Sequence, residues 1–174
     1  MSLKRPKTRD SFDLTSLPPE VQKALYLSDD RSAALVGACL VEKALTELLC
    51  QVIVASKADV AALMDSPGAP LHSFSAKTRV AYAFGLISAR EKRDIDLVRD
   101  IRNDFAHNIV GCDFADPVVV EHCSKFQILR PELRPVSVQK QFIQEVGILV
   151  GILAARCRSA SRLSQPPDFL VAGK

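Results

Sequence analysis

Arg102, Asn103 and His107 stand within one segment of six residues (102–107). A guanidinium group can stabilise negative charge on a phosphate, a histidine can move protons near neutral pH, and a carboxamide can orient either of them. These residue types at this spacing could therefore perform phosphate chemistry. They could instead hold two helices together through polar contacts. The residue types alone are compatible with both roles.

The helix that must position this segment begins at a capping box, Ser88 with Glu91, and runs to about Asn108. Successive helical residues turn by about 100°, so His107 projects about 140° away from Arg102. In an ideal helix the two side chains of one subunit cannot grip the same phosphate. A dimer, or a distorted last turn, would be needed to bring them together.

Arg102 and Glu42 each lie within an apolar stripe of a predicted helix. A lone buried charge is costly, whereas a buried partner of opposite charge can offset that cost. We therefore expect Glu42 and Arg102 to contact each other across a helix pair, away from bulk water. Asp30 or Arg31, from the first turn of the helix that carries Glu42, would join this structural ion pair.

Helix start signals recur along the chain, and no long stretch alternates with period two. We predict an all-α, single-domain bundle of six or seven helices over residues 16–163, between a flexible basic tail (1–15) and a loose tail (164–174). The long helices, about 29–56 and 137–163, would form its spine. The predicted helix starts are Pro18-Pro19, Ser28, Lys57, Ser75, Ser88, Asp116 and Ser137, the fourth helix ending near Ile87.

The composition is typical of a cytoplasmic protein and argues against several other classes. The net charge of +3 is too small for a protein that binds nucleic acid through its overall charge. Five cysteines and three histidines show no zinc-ligand spacing, so we expect no metal, no cofactor and reduced, mostly buried thiols. The longest apolar run, 146–155, is shorter than the roughly 20 residues of a membrane helix, and the basic N-terminus lacks the apolar region of a signal peptide.

Three blocks of the chain carry a resemblance to a known family. They are Ser28-Asp29-Asp30-Arg31-Ser32-Ala33-Ala34-Leu35, Leu40-Val41-Glu42-Lys43-Ala44-Leu45 and Ile101-Arg102-Asn103-Asp104-Phe105-Ala106-His107. Over roughly residues 25–162 the chain resembles the mannitol operon repressor family of bacteria. The resemblance implies an all-α fold, a bacterial cytoplasm and a role in regulating transcription of a sugar-alcohol operon. Because the sequence shows no convincing helix-turn-helix, we expect regulation through another protein rather than direct reading of DNA.

The segment 102–107 is also similar to the Arg-x(4–6)-His signature of HEPN domains, all-α proteins that include metal-independent endoribonucleases with sites formed across a dimer. The resemblance implies that Arg102 would stabilise a phosphorane, His107 would move protons at the 2′-hydroxyl, and Asn103 would orient one of them. No second histidine or lysine flanks the motif, and two tyrosines without tryptophan offer little base stacking. We therefore expect a regulator that binds a protein and assign no catalytic residue. An RNA-binding or RNA-cleaving module is the alternative, and a homodimer is compatible with both.

Overall fold

The computed structural model describes residues 18–26, 29–64, 66, 68–108 and 111–164. These residues form seven α-helices and one 3₁₀ turn, with no strand among them. The all-α fold expected from the sequence is confirmed. The helices are α1 (Pro19–Tyr26), α2 (Asp30–Val52), α3 (Lys57–Met64), α4 (Phe74–Ala83), α5 (Ala89–His107), α6 (Pro117–Ser124) and α7 (Val138–Ser159), and the 3₁₀ turn is Pro131–Leu133.

The long helices α2 and α7 pack against each other as the spine of the bundle, as expected, and α5 packs beside them on α2. Gly37 permits this close approach, because a Cβ at that position would lie 2.7 Å from Cε1 of Phe142. The ring centroid of Phe142 lies 5.4 Å from that of Phe114, which lies 5.0 Å from that of Phe105. Through these ring contacts, α5, which carries Phe105 and Arg102, packs by way of Phe114 against Phe142 of α7.

Five helices begin at the residues expected from the sequence: α1 at Pro19, α3 at Lys57, and α5, α6 and α7 directly after their expected caps. In α5, Ser88 accepts a hydrogen bond from the backbone N–H of Glu91 (3.2 Å), and Glu91 accepts one from the N–H of Ser88 (2.6 Å). Asp116 caps α6 and Ser137 caps α7. A local signal, readable in the sequence, therefore sets where the motif helix starts.

The start of α2 lies one residue later than expected. Asp29 is its N-cap, and its carboxylate accepts hydrogen bonds from the N–H (2.9 Å) and the hydroxyl (2.8 Å) of Ser32. The expected cap, Ser28, lies outside the described residues. At their other ends, α2 and α7 finish at Val52 and Ser159, about one turn before the predicted ends.

The bounds predicted for α4 are wrong at both ends. Its N-cap is Ser73, whose hydroxyl accepts from the N–H of Ala76 (3.1 Å), rather than Ser75. The earlier start places Phe74 on the buried face of the helix. The helix ends at Ala83 rather than near residue 87, because Gly85 adopts a φ of 68°, a left-handed conformation that does not continue an α-helix.

A pair of carboxyl groups lies fully buried between α5 and α7. Asp94 Oδ2 accepts hydrogen bonds from the N–H groups of Gln127 and Ile128, and Glu145 Oε2 accepts one from the N–H of Leu129. No donor among the described residues reaches the two remaining oxygens. Burial, reinforced by the adjacent Asp94 carboxyl, raises the pKa of Glu145 to about 8. A proton held between the two carboxyls would satisfy both remaining oxygens.

The cysteines form no disulfide, but their burial differs from the expectation of mostly buried thiols. Cys123 is buried, and burial raises the pKa of its thiol to about 12. Cys39 and Cys50 are exposed on α2, and the other two are partly exposed. The apolar stripe of α2 therefore lies on the side of the helix away from Cys39.

None of the helices in the described part of the chain is long and apolar enough to cross a membrane.

Candidate functional site

A cleft of about 560 Å³ lies beside the Arg102 segment, where side chains of α2, α4 and α5 converge. Glu42 lines it from α2, Lys77 from α4, and Arg99, Arg102 and Asn103 from α5. Met64 and residues 72–75 complete the wall. The volume falls within the range of about 300–1,000 Å³ that is common for small-ligand sites.

The first turn of α4 faces this cleft. His72, the N-cap Ser73, Phe74 and Ser75 all contribute to the lining. Because the first N–H groups of a helix have no intrahelical acceptor, Phe74 and Ser75 place backbone donors at this wall. Lys77, in the next turn, adds an ammonium group.

Glu42 pairs with Lys77 and not with Arg102. Nζ of Lys77 lies 2.8 Å from Oε1 of Glu42, and Lys77 is only 8% exposed. The ion pair expected between Glu42 and Arg102 is therefore wrong. The physical reason is that α4 packs against both α2 and α5, and so brings Lys77 to the carboxylate of Glu42.

Arg102 is exposed, so its expected place within the apolar stripe is also wrong. The buried arc of α5 is centred near Phe105 and Asp94, which are both fully buried. Arg102 stands about 60° around the helix from Phe105, at the edge of this arc. From there it reaches the cleft, where its Nη1 donates a hydrogen bond to Oδ1 of Asn103 (3.0 Å).

Arg99, the third cation of the cleft, is held by carboxylates of its own helix. Its Nη1 lies 2.6 Å from Asp96 Oδ1, and its Nη2 lies 2.9 Å from Asp100 Oδ1. Asp96 also accepts from Nζ of Lys92 (2.7 Å). Most of the basic charge on this side of α5 is therefore balanced by acids of the same helix.

His107 is exposed as the last residue of α5, and it does not line the cleft. The structure thus brings Arg102 and Asn103 together but places His107 elsewhere, as the helical geometry predicts. One chain alone can offer cations and hydrogen-bond donors to an anion in this cleft. It does not place the His107 imidazole beside Arg102, as proton transfer at a phosphate would require.

Asp30 and Arg31 hold helix ends together and do not line the cleft. Asp30 accepts hydrogen bonds from the N–H of Phe114 (2.9 Å) and from Nε2 of Gln139 (3.0 Å). Arg31 donates from Nη2 to the carbonyl oxygen of Asn108 (2.7 Å), just past the end of α5. The Asp-Asp-Arg block therefore joins the start of α2 to α5, to α7 and to the loop before α6.

Several residues of the cleft, among them Lys77 and His72, were not identified from the sequence. A signal for Lys77 was present, since it lies between Phe74, Thr78 and Ala81 at the spacing of a buried helical face, as the single charge. The same pattern had marked Glu42. His72 precedes the helix and is exposed, and nothing in its sequence neighbourhood distinguishes it.

Comparisons with known proteins give one family and one similar structure. A family model described as "Mannitol repressor" matches residues 30–150, well over half of the chain. Among solved structures, a chain in the X-ray structure of the MtlR–HPr complex from Escherichia coli has a TM-score of 0.62 and 18% identity, over 77% of this chain and 95% of that chain. At that identity the likeness shows a shared fold. No curated protein matches the sequence. The family match, which spans α2 to α6 and most of α7, shows that the chain belongs to the mannitol repressor family.

Proposed function

We propose that this chain is a bacterial, cytoplasmic regulator of transcription that acts by binding a protein partner. Two comparisons support the proposal: the chain belongs to the mannitol repressor family, and a protein of the same fold has been solved in a complex with HPr. A protein of the HPr type is therefore the first partner to test. Direct reading of DNA is not part of the proposal.

The observation that carries the proposal is the exposure of the motif residues. Arg102, Ala106 and His107 are exposed on the last two turns of α5, next to the partly exposed Asn103. We call these four residues the motif face. A purely structural role for the motif would need Arg102 buried against Glu42, and it is not. Cations and hydrogen-bond donors at the surface are available to a partner protein, and arginine is among the residues enriched in interfaces.

The charge distribution on α5 makes this helix a poor reader of DNA. The helix carries five Asp and Glu residues against five Lys and Arg residues. Two of these cations, Lys92 and Arg99, are also paired with Asp96 and Asp100, which makes them less available to neutralise phosphates. Together with a net charge of +3, this leads us to expect only weak, salt-sensitive binding to DNA. A complex with operator DNA at about 10⁻⁸ M or tighter in physiological salt would contradict the proposal.

The test is a calorimetric titration of the purified protein with the HPr protein of the same cell, beside two matched variants. Arg102→Glu reverses a charge on the motif face and should weaken binding at least about tenfold, equivalent to ~1.4 kcal/mol. Arg93→Glu makes the same change at another exposed site, about 180° around α5, and should leave binding unchanged. If the two variants change the affinity for HPr equally, or if the native protein does not bind HPr, the motif face is not the surface that binds this partner.

The regulatory part of the proposal needs a separate experiment. Deletion of the gene should change the transcript level of a sugar-alcohol operon in the source cell, and Arg102→Glu should reproduce that change. Unchanged transcripts in the deletion strain would contradict a role in transcription while leaving partner binding intact.

A ribonuclease of the HEPN kind is the second candidate, because Arg102 and His107 are both open to solvent. Their different directions on α5 mean that two subunits would have to assemble the site. A homodimer with the motif faces together is the arrangement that this candidate requires.

A further inference from the structure

We propose that the cleft between α2, α4 and α5 is a binding site for the phosphoryl group of a small phosphomonoester. Such a ligand would be an effector of the protein. The proposal goes beyond partner binding and does not depend on which protein the partner is.

The electrostatic balance of the cleft favours an anion. Lys77, Arg99 and Arg102 bring three permanent cations to its wall, where Glu42 is the single carboxylate. Glu42 offsets Lys77, and Asp96 and Asp100, which stand behind the wall on α5, offset Arg99. His72 lines the cleft as well, and its ring can donate a hydrogen bond. Of the three cations at the wall, Arg102 is therefore the one whose charge is not offset by a paired carboxylate of the described residues.

Arg102 is the cation best placed to bind an added anion. Lys77 is paired with Glu42, and Arg99 is paired with acids of its own helix. For Arg102, no carboxylate of the described residues comes within ion-pair distance, and its one hydrogen bond there goes to the neutral amide of Asn103. Its guanidinium group thus retains donors for the two-point contact that arginine makes with phosphate.

The start of α4 adds neutral donors on the other wall of the cleft. Ser73, Phe74 and Ser75 line it, and a helix start attracts anions through its N–H groups and its dipole. This feature alone would not define a site. The helix start supports the proposal because it lines the same cleft as Lys77 of α4 and Arg102 of α5.

The size and the lining of the cleft suit a small molecule. Its volume of about 560 Å³ is that of a small-ligand pocket. Met64 and Phe74, which are 3% and 9% exposed, give it an apolar wall against which a carbon chain could pack. A phosphoryl group near Arg102 and a carbon chain along this wall would use both halves of the lining.

A ligand bound in the cleft would also contact residues of the motif face. Arg102 and Asn103 belong to both surfaces. A ligand that holds the guanidinium of Arg102 inside the cleft would remove one cation from the surface offered to the partner. The phosphomonoester would in this way control partner binding.

The experiment is calorimetric titration of the full chain with glycerol 3-phosphate, inorganic phosphate and glycerol at constant ionic strength. We expect saturable binding of glycerol 3-phosphate, weaker binding of phosphate and none of glycerol. Arg102→Ala should weaken binding about tenfold, as loss of a charge-assisted contact of ~1.4 kcal/mol implies. Glu42→Gln should strengthen it several-fold, because it removes the competing carboxylate and leaves Lys77 to the ligand. Arg93→Ala is the control, and circular dichroism checks that each variant is folded.

Three outcomes would overturn the proposal. The first is the absence of saturable binding of both phosphate probes up to about 10 mM, where any useful affinity would be visible. The second is binding that Arg102→Ala and Glu42→Gln leave unchanged in folded protein, since the anion would then lie elsewhere. The third is binding of a phosphoserine peptide without binding of glycerol 3-phosphate, which would make the ligand a protein.

Discussion

Lys77 of α4 and Glu42 of α2 form an ion pair with 2.8 Å between Nζ and Oε1, and the lysine is nearly buried. This pair, and not one through Arg102, balances the charge that Glu42 brings to the edge of the core. The consequence is a separation of roles around the cleft. Glu42 and Lys77 stabilise the fold, whereas Arg102 is available for binding.

Glu42→Ala should lower the free energy of unfolding by about 1–3 kcal/mol, because it leaves the ammonium of Lys77 without its partner. The loss should stay below that of a fully buried pair, since the side chain of Glu42 is 27% exposed. Arg102→Ala, as the matched control, should change stability by less than about 0.5 kcal/mol. Urea unfolding of both variants measures the difference. If Arg102→Ala lowers the free energy of unfolding more than Glu42→Ala does, the result would favour the Glu42–Arg102 pair that was expected from the sequence.

Gly37→Ala should destabilise the protein although alanine favours helices. The new Cβ would meet the ring of Phe142, which is fully buried and packed on Phe114 and so has little room to move. Overpacking of this kind costs about 1–3 kcal/mol, which outweighs a gain of ~1 kcal/mol in helix propensity.

Thermal unfolding provides the measurement, with Cys39→Ala, an exposed change on the same helix, as the control. In the Phe142→Leu background, Gly37→Ala should cost less than in the native chain. Equal costs in the two backgrounds would show that Phe142 does not limit the size of residue 37.

The buried carboxyl pair should make stability depend on pH. Burial and the neighbouring Asp94 raise the pKa of Glu145 from 4.5 to about 8, so the folded state holds a proton that the unfolded state has released. Stability from this group is therefore complete below pH 4.5 and decreases as pH rises towards 8. In Glu145→Gln, an amide replaces the protonated acid. The urea midpoint of this variant should then depend less on pH over this range. If its pH dependence equals that of the native chain, groups other than Glu145 cause that dependence.

The isolated protein should not cleave RNA. Arg102 lines the cleft while His107 lies outside it, so one subunit does not bring the charge-stabilising and proton-transferring groups to one phosphate. Purified protein is incubated with single-stranded RNA and a chelator, beside His107→Ala. Cleavage that survives chelation and is lost in the variant would establish the ribonuclease and displace the regulator.

The sequence predicted the architecture because its signals are local. The capping box at Ser88, the caps at Asp116 and Ser137, and the spine of two long helices all agree with the structure. The start of α4 was harder, because Ser73 and Ser75 are both good caps and the choice depends on burying Phe74. Local sequence does not contain that tertiary information.

The partners of the charged residues could not be predicted in the same way. Helical periodicity marked Glu42 as a charge near the core, but the identity of its partner depends on how α4 crosses α2. The position of Arg102 was predicted wrongly because the buried face of α5 was inferred from its apolar residues alone. Asp94 is a fully buried acid, and including it shifts the centre of the buried face away from Arg102. Burial of that acid depends on N–H groups of residues 127 and 128, more than 30 positions away.

The exposed thiols of α2 affect how assembly should be studied. Cys39 and Cys50 are eleven residues apart, which places them on nearly the same side of the helix with about 16 Å of helix axis between them. That separation is too long for an internal disulfide, whose Cα atoms lie within about 7 Å of each other. The thiol of Cys39 is exposed at the surface, where it can meet that of a second molecule. Air oxidation of the purified protein would therefore crosslink copies through α2, and only size measurements in reducing buffer can reveal whether the chain pairs through non-covalent contacts.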